Sequence, residues 1–139
     1  MNNTKQMKDE WAKWLNNKEW DFFTTMTTNY HLSKASARRA AERFYNRLER
    51  IFGECRIFWV AERHKDKGGY HLHSLIKLPN SKANGFKVIN ESWKTVSKGN
   101  DNRIDTQKYN SKLGANHYLT KDILKNTTDY DFSFSPRNN

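Results

Sequence analysis

The chain contains a single cysteine, Cys55, which excludes an intramolecular disulfide framework and a thiolate zinc cluster. Cys55 lies in an apolar run, where a thiol reads as inert packing. No stretch has the length and apolarity of a membrane span. The opening residues, MNNTKQMKDEWAKW, also lack the apolar core of a signal peptide, so the expected location is a reducing, cytoplasmic compartment without membrane attachment. Internal repeats, long linkers and any GxxxxGK(S/T) phosphate loop are missing as well. The 139 residues suit one compact domain with a real core and leave no room for a motor domain beside it.

Positive charge, by contrast, is abundant. Twenty-five Lys and Arg residues against 15 Asp and Glu give a formal net charge of +10, which favours a polyanionic partner and salt-sensitive binding. Aromatic residues make up 14% of the chain; most are expected to serve the core, while others can stack on bases.

The order of elements follows from periodicity and punctuation. Residues 5–19, with Met7, Trp11, Trp14 and Leu15 at helical spacing, predict a short amphipathic helix, an appendage within residues 1–20. DFFTTMTT (21–28) is rich in aromatic and β-branched residues and predicts the first strand. Ser33 is placed to cap a long helix whose apolar stripe is Ala37, Ala41, Phe44, Leu48 and Phe52, with Gly53 as its stop. CRIFWVAER (55–63) and YHLHSLIKL (70–78), joined by HKDKGG, predict a hairpin that ends at Pro79. A second helix over 83–97, carrying Phe86, Ile89, Trp93 and Val96, leads past Gly99 to a short strand at 102–107. The sum is a βαββαβ order, an α+β fold of the split-βαβ, ferredoxin-like kind: an antiparallel sheet with two helices on one face and the other face free for ligands. A final helix, ANHYLTKDILKN, follows Gly114 and completes a domain spanning 21–126; the polar segment 127–139 is expected to be a poorly ordered tail.

Chemistry concentrates in two places. His71 and His73, two apart in a strand, face the same way, and the hairpin brings Glu62 beside His71. Two imidazole nitrogens and a carboxylate, with positions left open, suit Mg²⁺ or Mn²⁺ holding a phosphate oxygen; the imidazoles would also accept Zn²⁺ or Cu²⁺. His64, nearer the turn, is a rival third ligand. On the last helix, Tyr118 and Lys121 are neighbours on one face, so a phenol and an ammonium share a surface. A polarised phosphodiester with a cation nearby would make attack by a phenol feasible. Each motif alone also has a plain reading: surface histidines, a carboxylate paired with Arg63 or a Lys, or a Tyr packed at a helix edge.

Taken together, the motifs resemble those of the replication initiators (Rep) of the HUH endonuclease superfamily, the nucleases of rolling-circle replication. FFTTMTT is similar to the family's first motif, HLHSLI to its histidine–hydrophobic–histidine motif and YLTKD to its YxxK motif with one catalytic tyrosine, over residues 21–125. The resemblance implies His71 and His73 as cation ligands with Glu62 as the third, Tyr118 as nucleophile and Lys121 as its charge-stabilising or positioning partner. Tyr109 in YNSK also fits YxxK, but it falls where the fourth strand enters a polar connection, whereas the family carries its nucleophile on a helix. His117 points about 100° away from Tyr118 around a helix and reads as surface or packing.

The implied activity is metal-dependent, site- and strand-specific nicking and rejoining of single-stranded DNA at a replication origin, free or in a hairpin. It proceeds through a 5′-phosphotyrosine without ATP. Because the helicase domain of many larger relatives is missing, a host helicase or DNA supercoiling would do the unwinding, and a host polymerase would extend the released 3′-hydroxyl. Single-tyrosine transposases and relaxases use the same chemistry and form the neighbouring alternative. A non-catalytic RNA-binding domain of the same element order is the alternative from another class; the chain has no RNP1-like motif.

Overall fold

A computed structural model describes residues 3–64, 68–79, 84–99, 102–114 and 128–134. In chain order the elements are α1 (Asn3–Asn16), β1 (Phe22–Met26), α2 (Lys34–Phe52), β2 (Arg56–Arg63), β3 (Tyr70–Lys77), α3 (Gly85–Val96), β4 (Ile104–Lys108) and β5 (Asp129–Phe134). The strands form one antiparallel sheet in the order β4-β1-β3-β2-β5. Its first four strands have an order compatible with the expected ferredoxin-like layout, and β5 extends it beyond β2.

Local chemistry accounts for the boundaries. At the start of α2 the Ser33 side chain accepts a hydrogen bond from the Ser36 backbone N–H, satisfying one of the donors a helix N-terminus leaves open. At its end Gly53 takes φ 83°, a left-handed conformation that costs glycine little, and donates its N–H to Glu49 O. Between these caps Ala37, Ala40, Ala41, Phe44, Tyr45 and Leu48 are buried. They meet Ile89 and Trp93 of α3 and the alternate strand residues Phe22, Met26, Ile57, Trp59, Leu72 and Ile76 in the main core. Within it Thr24 and Ser74 pair their hydroxyls across β1 and β3, which satisfies two polar groups buried between apolar neighbours.

The second face of the sheet is not free throughout. Leu15 of α1 and the following Trp20 pack on Phe58, Val60 and Leu75, with Trp11, Phe23, Tyr109, Tyr130 and Phe132 at the margin. The apolar side of α1 thus closes one part of the face expected to be open, and α1 forms part of a second core instead of an appendage. Met7 and Trp14, two of the residues that signalled the helix, remain exposed.

The C-terminal segment also departs from expectation, because residues 129–134 form a strand paired with β2. DYDFSF alternates side chains at strand period. Tyr130 and Phe132 turn to the α1 side, where Trp11 meets Tyr130 and Trp14 meets Phe132 edge to face. Asp129 and Asp131 turn to the α2 side, where Arg38 hydrogen-bonds both carboxylates at 2.9–3.1 Å with its guanidinium over the Trp59 ring. Burial pushes the Asp129 carboxyl up, but the hydrogen bonds and charge of Arg38 outweigh it and hold the group below the usual carboxylate range. Strand β2 would otherwise present an unpaired edge.

Candidate metal centre

Strands β2 and β3 pair in a register that places Glu62 directly opposite His71 and Val60 opposite His73. Strand alternation then puts Glu62, His71 and His73 on the second face, in line with Phe58, Val60 and Leu75 but past the end of the apolar cluster. His71 Nε2 lies 3.1 Å and His73 Nε2 3.0 Å from the same oxygen, Glu62 Oε1, and the two nitrogens are 3.0 Å apart. All three side chains are 17–18% exposed, enough for solvent or a substrate to reach them while protein covers the rest.

Three atoms that each offer a lone pair converge on one point, and their mutual repulsion is relieved only by a shared proton or a cation. The donor set fits a divalent metal. Adjacent ligands bound at about 2.1 Å to an octahedral cation are about 3.0 Å apart, the spacing found here, whereas a tetrahedral site with bonds of that length spreads them to about 3.4 Å. Among the described residues this is the one cluster of three potential ligands.

The surroundings orient the ligands. His73 Nδ1 lies 3.1 Å from Thr25 Oγ1 on β1, a contact that holds the ring with Nε2 turned toward Glu62. Phe23 stacks on the His73 ring at 5.8 Å and 8°, and the two imidazoles stand at 90° to each other. His71 Nδ1 is buried with no hydrogen-bond partner among the described residues. Thr25 is the residue that sequence reasoning overlooked. It sits in FFTTMTT, and the register Thr25↔His73 was the information needed to find it.

The other candidates separate clearly. The ring of His64 lies 4.4 Å from that of His71, tilted by 38°, so it flanks the triad without being one of its converging ligands. Tyr109 follows β4 and donates its backbone N–H to Asp21 O, beside the start of β1. Thr25, next to the histidines, is four residues further along that strand, about 13 Å away. The Tyr109 ring packs at the margin of the second core. Tyr118, Lys121 and His117, with the helix expected to carry them, lie outside the described residues. Cys55 is buried, and burial, helped by the charge of Glu49, pushes its thiol up to about 12, in keeping with inert packing.

No helix among the described residues is long and apolar enough to cross a membrane. No curated protein and no solved structure matches the chain. One family does: that of the replication-associated protein ORF2 matches residues 21–127, from the approach to β1 to the approach to β5. This match covers the whole sheet except β5 and includes every residue of the triad, so the chain belongs to the ORF2 family of replication-associated proteins, a family of replication initiators.

Proposed function

We propose that the protein nicks and rejoins single-stranded DNA at a replication origin, with Tyr118 as nucleophile beside a divalent-cation centre made by Glu62, His71 and His73, and so initiates and terminates rolling-circle replication. The observation that carries this reading is the convergence of the three ligand atoms at 3.0–3.1 Å on an accessible stretch of sheet. Family membership supplies the replication context. Mn²⁺ and Mg²⁺ fit the mixed nitrogen–oxygen donor set and leave positions for a phosphate oxygen. A cation bound there polarises the scissile phosphate as a Lewis acid.

The chain's own residues do the rest. Glu62, His71 and His73 fix where the phosphate sits, and Thr25 and Phe23 keep the His73 ring in place. The Tyr118 hydroxyl loses its proton as its oxygen attacks phosphorus. The bond to the 3′-oxygen breaks, and that oxygen takes up a proton. The 5′-phosphate stays on the tyrosine, which conserves the bond energy for the reverse step without ATP. Lys121 stabilises charge that develops on the phosphoryl oxygens or on the phenol.

The test is a covalent one. Wild-type protein incubated with Mn²⁺ and origin-derived single-stranded DNA should give an adduct that survives denaturing electrophoresis. Tyr118→Phe should remove the adduct while DNA affinity persists, Lys121→Ala should slow its formation, and Tyr109→Phe should leave it unchanged. An adduct that persists in Tyr118→Phe or in excess chelator would falsify the reading.

A further inference from the structure

A second polar site adjoins the triad. At the end of the sheet where β1 meets the edge strand β4, a pocket of about 500 Å³ opens between these strands and α3, lined among others by Thr25, Asn90, Lys94, Asn102, Arg103 and Asp105. It touches the metal centre through one residue: Thr25 is opposite Asp105 on β4 and opposite His73 on β3. Neighbouring strands are about 4.8 Å apart, so the pocket begins one strand spacing from the His73 ring.

The lining is built and charged. Asn102 is 2% exposed and fully engaged, its Oδ1 accepting from Asn29 N and its Nδ2 donating to Ser97 O, so it fixes the wall. Asn90 Oδ1 accepts from the Thr106 hydroxyl, which leaves the amide N–H groups of Asn90 to act as donors. Lys94 and Arg103 both line this pocket, and neither side chain has a hydrogen bond or ion pair among the described residues. Asp105 accepts from Gln107 Nε2 at 3.2 Å and keeps further acceptor capacity. Two such cations, a fixed amide donor and a carboxylate in a cavity of this size form the complement of a nucleotide: cations for the phosphate, amide and carboxylate for the base edge.

We propose that this pocket binds one nucleotide of the single-stranded DNA substrate next to the scissile phosphate, with Lys94 and Arg103 on its phosphate and Asn90 and Asp105 reading its base. A carboxylate accepts hydrogen bonds from exocyclic amino groups, so the pocket favours a base that carries one over thymine. The inference deepens the nuclease reading and rests on it for the polarity of the strand past the triad. It adds a determinant of sequence choice away from the reacting atoms.

The experiment separates the two ideas because it measures binding in the presence of chelator, where nicking plays no part. Fluorescein-labelled single-stranded oligonucleotides are titrated with wild type and with Lys94→Ala/Arg103→Ala across a range of salt concentrations. The proposal expects weaker binding by roughly tenfold or more and a salt slope shallower by about one, the signature of a lost phosphate contact. Asp105→Asn is compared with wild type by sequencing the bound fraction of a randomised single-stranded pool, with a changed base preference at one position as the expected outcome. All three substituted side chains are exposed, and an unchanged melting temperature confirms that the variants fold. Wild-type affinity and salt slope in the double variant, together with an unaltered preference in Asp105→Asn, would overturn the subsite even if Tyr118 proves to be the nucleophile. Conversely, the expected binding changes without any Tyr118 adduct would leave the subsite standing and remove the nuclease.

Discussion

The second face of the sheet has two ends built on the same two strands. At one end Phe58, Val60 and Leu75 lie under Leu15 and Trp20 and are fully buried. At the other, Glu62, His71 and His73 continue the same alternate positions and stay partly open. Nothing in the backbone distinguishes the ends: the ladder between β2 and β3 runs without interruption from Arg56↔Lys77 to Arg63↔Tyr70. The difference is side-chain chemistry together with the reach of α1, which ends at Asn16. The covered end removes apolar surface from water and contributes stability. The open end holds three acceptors against one another, an arrangement that costs stability until a cation binds, as expected of a functional site.

The comparison breaks most sharply at His73. His73→Ala should reduce adduct formation by more than about 100-fold, since even partners of metal ligands are worth 10–100-fold. In chelator the same variant should be at least as stable as wild type, because the repulsion it relieves exceeds the packing it removes; urea unfolding measures this. A clear loss of stability in metal-free His73→Ala would mean that the triad is a structural hydrogen-bond cluster.

Phe58→Ala should do the reverse. Removing a fully buried aromatic ring from beneath α1 is expected to cost about 3–5 kcal/mol in unfolding free energy, while isothermal titration of the folded variant with Mn²⁺ should still find the centre intact. Coupled loss of stability and metal binding would show that the two ends act as one unit.

Thr25→Val sharpens the boundary by removing one hydroxyl and keeping the shape. Its contact to His73 Nδ1 predicts about a tenfold weakening of Mn²⁺ affinity, about 1.4 kcal/mol, with the unfolding midpoint nearly unchanged. An affinity equal to wild type would mean that stacking on Phe23 alone orients the ring.

The smallest effect concerns β5, which borders both ends. Asp129 is held below its usual value of 3.8 in the folded chain, so the stability it contributes is complete above that pH and is lost as pH falls through the depressed value. Asp129→Asn should erase this acid-dependent increment. Arg38 is 36% exposed, which limits the increment to about 1 kcal/mol or less. Acid titration of stability followed by circular dichroism compares the two; identical curves would show that the pair contributes nothing measurable.

Where one residue type dominated the local balance, the sequence was legible. Ser33 and Gly53 bracket α2 as capping rules require, and the His71–His73 spacing with Glu62 across a short hairpin leads directly to the observed triad. The covering of the second face was not legible, because an amphipathic α1 shows that it has an apolar side but not which surface receives it. Nor was β5: six residues with three polar side chains have little strand signal until the open edge of β2 and the guanidinium of Arg38 supply partners. Thr25 stayed hidden for the same reason, since its role depends on lying opposite His73 across two strands separated by 43 residues of chain between Met26 and Tyr70.

By itself, then, the sequence determined the elements, their order, the basic charge and the triad of potential ligands, all set by periodicity, capping and contacts across one hairpin. The tertiary structure alone decided which end of the face is closed, which hydroxyl orients His73 and where Lys94 and Arg103 come to line a pocket beside the centre. Those outcomes depend on long-range packing, whose partners are chosen by the whole core.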